Sequence, residues 1–224
     1  MHAIDHFIQS LKREKTWNVF NPWYEVDQEH DQDVTAPLKR RGNLIKYLHE
    51  RKNVRYMLLG EAIGYQGGHF SGIAMTSERM LLGHMEQKGI SPDHLACQST
   101  LDRTSKCSVR DKGFTEPTAT IAWGRIIEMG LDTKDFIFWN MFPWHPYHPE
   151  KGMLSNRTPD DQELKEGREA LRTLIRLANI KTVIAVGNKS KIHLERMGIS
   201  APKVRHPANG GAKQFREQLE RLVR

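Results

Sequence analysis

The 224-residue chain should fold as a three-layer α/β/α sandwich, α/β in class, around a central, mostly parallel four-stranded sheet. Four short runs are apolar enough to be buried on both faces, as the strands of parallel sheets are. Between them lie segments whose apolar residues recur at helical spacing. Alternation of the two is the pattern of strands joined by crossover helices.

Taken in order, the first 50 or so residues read as a helical N-terminal extension. Its clearest part is a helix over Thr35–Glu50, with Leu38, Leu44, Ile45 and Leu48 on one face and Pro37 suited to the first turn. Val54–Leu59 (VRYMLL) is the first strand. It runs into LGEAIGYQGGHFSG (Leu59–Gly72), a turn carrying five glycines. Such a turn brings backbone close to something. The stretch Gly83–Gly113 shows no clear period; its basic residues Lys88, Arg103, Lys106, Arg110 and Lys112 suit either a DNA-contacting arm or a solvated loop. A helix over Thr118–Met129 presents Ile121, Ala122, Ile126 and Met129 and stops at Gly130. The second strand is Asp135–Asn140. After it, Pro143–Pro149 (PWHPYHP), with Trp144 and Tyr147, reads as a rigid loop at the rim of a site. Thr158-Pro159 opens a helix over Asp160–Ala178. Strands at Thr182–Val186 and Lys203–His206 and a last helix at Ala212–Val223 complete the alternation. No linker, repeat or low-complexity block divides the chain, so residues 1–224 are expected to form one domain.

Lys and Arg outnumber Asp and Glu by 34 to 27, a formal charge of +7. That surplus suits a polyanionic partner, although an ordinary basic surface gives the same number. No run approaches the roughly 18 apolar residues of a membrane helix. The charged start MHAIDHFIQSLKREK lacks the apolar core of a signal peptide. A protein of the cytoplasm, with no membrane partner, is expected. Cys97 and Cys107 lie in a polar segment and read as free thiols of a reducing compartment. His145 and His148 are spaced for a metal but lack a third ligand, so no metal site is assigned. The glycine turn fits neither a dinucleotide fingerprint nor a phosphate loop, which argues against a nucleotide-binding enzyme.

In doubly wound sheets ligands bind at the carboxyl ends of the strands. Those ends are GEAIG, WNMFPWHP, GNKS and HPANGG. Three of them place a distinctive polar side chain at the exit: Glu61, Asn140 and His206. These should converge on one cleft, with Phe70 added from the glycine turn. Taken singly, each has an ordinary structural use: a turn carboxylate, a capping amide, a lone imidazole, a core ring.

Taken together and in order, the strand ends resemble the uracil-DNA glycosylase superfamily, from about Val54 to the C-terminus. GEAIG is similar to the Gly-Glu-x-Pro-Gly motif of its family 4, with Ile63 in place of the proline. Phe70-Ser71-Gly72 matches the Phe-x-Gly that ends the same loop. Asn140 stands where these enzymes carry a strand-end asparagine. Asn156-Arg157-Thr158-Pro159 matches a family 4 stretch opening the next helix, and His206-Pro207-Ala208 resembles the closing His-Pro-Ser/Ala motif. Family 4 members hold an iron–sulfur cluster on four cysteines. With two cysteines, both between Phe70 and Asn140, the chain resembles a cluster-free relative that needs no cofactor.

The resemblance implies roles. An enzyme that removes a base flips it out of the stack and reads its edge in a pocket. Phe70 would stack on the pyrimidine. Asn140 would accept from uracil N3–H while donating to O4, a pattern that cytosine mismatches. His206 would donate to O2 as negative charge builds on the leaving base. Glu61 would sit near the sugar and align or activate the water. Ala62 and Gly64 would line the pocket, Gly64 at the position where uracil-strict relatives place a tyrosine against the C5 methyl. Asn209, Gly210, Gly211 and Lys213 would meet the DNA backbone. No lysine beside the three polar residues is expected to form a Schiff base, so the enzyme would be monofunctional, acting on uracil-containing DNA as a monomer. A glycosylase for another deaminated base, such as hypoxanthine or xanthine, and a nucleic-acid-binding module with a degenerate pocket remain the alternatives.

Overall fold

A computed structural model describes residues 3–97 and 99–224. The α-helices among the described residues are α1 (Ala3–Ser10), α2 (Ala36–His49), α3 (Gly68–Ser71), α4 (Glu78–Leu81), α5 (Asp93–Ala96), α6 (Pro117–Glu128), α7 (Asp161–Glu166), α8 (Arg168–Leu177), α9 (Asn188–Arg196) and α10 (Ala212–Val223). The strands are β1 (Val19–Phe20), β2 (Tyr56–Ala62), β3 (Phe136–Phe142), β4 (His145–Pro146), β5 (Thr182–Val186) and β6 (Lys203–Val204). The central sheet has the order β3-β2-β5-β6 and is parallel throughout, with Leu58 facing Phe138 on one side and Ile184 on the other. The expected fold is therefore the one observed.

Helices cover both faces because both faces are apolar. In β3 every residue is buried. Trp139 packs against Phe7 of α1, whereas Phe138 packs against Trp123 of α6. Successive residues of a strand point to opposite faces, so α1 and α6 lie in different outer layers. Although β3 is at the sheet edge, its backbone is not left open. The Phe138 N–H donates to Tyr47 Oη, and Arg51 Nε donates to the Phe136 carbonyl. Two side chains from α2 and its C-terminal flank thus stand in for a fifth strand and block edge pairing.

Four sequence expectations need correction. First, β2 extends to Ala62, so Glu61 is carried by the strand itself. Second, the helix expected at Asp160–Ala178 is two helices that break at Gly167. There the backbone crosses the Met141 carbonyl so closely that an added Cβ would lie 1.8 Å from its oxygen. The cap of α7 is Asp160, in a reciprocal box with Glu163, not Thr158. Third, Pro143–Pro146 is buried, with Trp144 5% exposed, and β4 pairs antiparallel with β1. It is core, not rim. Fourth, the N-terminal extension is only partly helical; Phe20 of β1 and Trp23 beyond it are fully buried.

The stretch between Gly83 and Gly113 is fastened rather than free. Leu95 and Leu101 are buried in the core. Glu78 accepts the Thr104 and Ser105 N–H groups at 2.7 and 2.9 Å. Arg103 donates to the Ser105 and Asp111 carbonyls and is spent inside its own loop. Among the described residues, no helix is long and apolar enough to cross a membrane, and both cysteines are free and exposed.

Candidate active site

The carboxyl edge of the sheet opens on a cleft of about 470 Å³. Glu61, from the end of β2, and His206, just beyond β6, both line it, as do Ala62 and Gly64. The strands that carry the two polar groups are separated by β5, whose following helix α9 folds back over the edge. Its Lys189 donates to Glu61 Oε1 at 2.9 Å and to Thr158 Oγ1 at 3.2 Å. The absence of a lysine near these residues was a sequence expectation, and it does not hold. A lysine one residue into a helix that starts at a strand end is brought near that edge by topology, and the packing of α9 decides that it meets Glu61.

His206 is set up as a donor. Its Nδ1 accepts the Ala208 N–H at 3.1 Å, which leaves the proton of the neutral ring on Nε2. Burial first, then the charge of Arg205, pushes its pKa below the ordinary histidine value, while Glu61 pulls the other way. The ring is thereby kept in the neutral Nε2–H form near neutrality.

The glycine turn is pinned from several sides. The Ile63 N–H donates to the Trp144 carbonyl at 3.3 Å and the Tyr65 N–H to Asn156 Oδ1 at 3.0 Å. Beneath it runs a buried polar chain. His69 Nε2 lies 3.0 Å from Asp27 Oδ2, and His69 Nδ1 lies 2.8 Å from His145 Nδ1. His145 Nε2 reaches the Ser155 carbonyl at 2.8 Å. Burial, and then the neighbouring His69, hold His145 down at about 3. The chain ties α3 to Ser155, next to Asn156 in the cleft wall. His145 therefore belongs to the scaffold.

Phe70 and Asn140 are placed differently from Glu61 and His206. Phe70 is fully buried, its ring stacked on Phe114 at 4.1 Å and 13°. Asn140, at 2% exposure, folds over Gly60, where the missing side chain leaves it room. Its Nδ2 is buried without a partner. Neither residue lines the cleft. Of the expected DNA loop, Asn209 and Gly210 are exposed in left-handed turn conformations, φ 52° and 74°. Gly211 is buried at the start of α10, and Lys213 is exposed with Glu217 4.0 Å away.

Sequence reasoning missed Glu116 as well as Lys189. Glu116 precedes Pro117 at the start of α6 and lines the cleft, while its Oε2, turned against Gly67, is buried without a partner. Asn156 was quoted only for a resemblance and Thr158 for that and a helix start, yet both line the same wall. A carboxylate just ahead of a helix-opening proline was the available signal for Glu116.

A parallel sheet with a carboxylate and an imidazole donor at its carboxyl edge defines an α/β enzyme. The chain belongs to the uracil DNA glycosylase superfamily, whose family profile matches residues 48–222. As a member it is a DNA glycosylase, a hydrolase that acts on DNA. It is similar in fold to a solved structure, the crystal structure of wild-type Pedobacter heparinus SMUG2. That likeness has a TM-score of 0.62 over 99% of this chain and 98% of that one, at 17% identity. No curated protein matches the chain.

Proposed function

We propose that this enzyme hydrolyses the N-glycosidic bond of uracil in DNA, with water as nucleophile and no lyase step. The observation that carries the reading is the pairing, in one cleft, of the Glu61 carboxylate with the Nε2–H of a neutral His206. As the bond to the base lengthens, charge accumulates on the base carbonyls and on the sugar ring. His206 donates to O2 of the departing base, an oxyanion-type stabilisation. Glu61 faces the sugar, steadies its positive character and orients the water. Lys189 fixes the Glu61 carboxylate, and because its ammonium is engaged there and at Thr158 it is not offered as a nucleophile. Base specificity falls to Asn140, whose buried Nδ2 has no partner; it would meet a base carbonyl such as O4 once the wall covering it opens, since the residue does not line the cleft. For the flipped base to stack on Phe70, Phe114 must leave the face it now covers. Asn209, Gly210 and Lys213, exposed in the loop and first turn after His206, would meet the phosphate backbone. The protein acts as a monomer in the cytoplasm and needs no cofactor.

The test is single-turnover excision from oligonucleotides bearing uracil, hypoxanthine, xanthine or mismatched thymine. Uracil should be released fastest. Glu61→Gln should lower that rate roughly a hundredfold to ten-thousandfold with DNA affinity retained. His206→Ala should cost roughly a hundredfold or more. Preferred release of hypoxanthine or xanthine would replace uracil by another deaminated base. Tight DNA binding with no release of any base would make the chain a binding module. A strand-cleaving product trapped on Lys189 by borohydride would overturn the hydrolytic mechanism.

A further inference from the structure

The carboxyl of Glu116 is a group of the cleft wall, with a buried and unpartnered oxygen, that the proposed chemistry does not use. It stands just ahead of α6 and forms no ion pair among the described residues. Its position ahead of Pro117 is that of a helix cap, yet the side chain makes no capping bond. Instead it turns against the glycine turn: a Cβ added to Gly67 would lie 1.9 Å from Glu116 Oε2. The turn is therefore built to admit this carboxyl. Oε2 is shielded from solvent and has no partner, a costly arrangement unless something else fills its hydrogen-bonding capacity.

We infer that Glu116 contacts the substrate, holding the flipped base by its edge through the donor and acceptor of a neutral carboxyl group. The inference rests on the glycosylase reading and adds a residue to it. Burial alone raises the Glu116 pKa to about 7, so near neutrality the group carries a proton for much of the time. A carboxylic acid offers an O–H donor beside a C=O acceptor. Deaminated bases present the complement, a ring N–H beside a carbonyl, as in uracil N3–H and O4 or hypoxanthine N1–H and O6. The acid pairs equally with an amidine edge, so Glu116 supplies grip on the base while discrimination rests elsewhere. As pH rises through about 7 the donor is lost and the carboxylate faces a base carbonyl. Grip should weaken above that pH.

Two experiments decide it. In protein labelled with ¹³C at glutamate Cδ, one carboxyl resonance should titrate near pH 7. It should vanish in Glu116→Gln and shift when millimolar uracil, hypoxanthine or xanthine is added. A Glu116 that titrates in the ordinary carboxylate range, or one that none of the three bases moves, overturns the proposal. That readout needs no activity, so it stands even if the enzyme proves to release no base. Where uracil is released, wild-type single-turnover rates should fall above pH 7. Glu116→Gln keeps a donor and an acceptor at every pH, so it should hold within a few-fold of wild type at pH 6 and lose the alkaline fall. Glu116→Ala should lose tenfold or more across the range. Retention of the alkaline fall in Glu116→Gln would also overturn it.

Discussion

Ile63 makes a hydrogen bond that no proline could. Its N–H reaches the Trp144 carbonyl, and its side chain, 3% exposed, packs on Gly68. The related family 4 motif has proline there and gains stiffness from a fixed dihedral instead. Here the loop gains it from a bond to a buried strand end. Ile63→Pro should therefore destabilise the protein, since leaving the Trp144 carbonyl unpaired costs about 1–3 kcal/mol. A urea midpoint lower than wild type at unchanged slope is the expected result; an unchanged midpoint would show that the bond carries nothing. At this scale the motif residues Glu61 and His206 were legible, because each ends a strand and topology does the rest. Glu116 and Lys189 were not, because they belong to helix starts whose direction over the edge depends on how α6 and α9 pack. The burial of Phe70 was equally hidden: it depends on Phe114, which reaches it from the end of a long insert.

Helix continuity shows how far periodicity alone can be read. The apolar spacing from Leu164 to Ala178 runs through Gly167 without a sign of the break, since the cause is a strand carbonyl in another layer. Gly42 looks no different in sequence, yet it lies inside α2 with nothing within 4 Å of an added Cβ. The two positions should respond oppositely. Gly42→Ala should stabilise by about 0.5–1 kcal/mol, the usual gain of alanine over glycine in a helix interior. Gly167→Ala must push Met141 and β3 aside and should cost more than that gain, on the order of 1–3 kcal/mol as other overpacked sites do. Thermal midpoints of the two variants decide it; a Gly167→Ala protein as stable as wild type would mean the contact yields freely. The ends of α2, α6 and α10 were read to within a residue or so, because proline and glycine mark local stops. The Asp160 cap was misplaced because Thr158-Pro159 presents an equally good local signal.

Across the whole molecule the surplus of seven positive charges is the property that reaches furthest into solution. Lys and Arg that neutralise phosphates release counterions, so affinity falls linearly on a log–log plot against salt. Binding to a uracil-containing oligonucleotide should weaken steeply between low and physiological salt, with Lys213→Ala making the slope shallower by about one ion. A flat dependence would point to a small-molecule substrate. Composition gave the sign of this field but not its distribution. Arg103, counted with the basic insert, is consumed by carbonyls of its own loop, and Arg40 is fully buried on Asp31. The sheet itself was legible almost completely, four strands in their order along the chain. Its spatial order was not, since pairing depends on long-range packing.

That spatial order has a kinetic side. β2 lies between β3 and β5, so the first strand of the central sheet to be made finds neither neighbour until much later. The contacts that shape the cleft are as distant: Tyr65 waits for Asn156 across 91 residues and Glu61 for Lys189 across 128. Loop closure of that reach is slow, and meanwhile VRYMLLGEA is an apolar segment with two open edges. That segment stays unpaired until β3 and β5 are made.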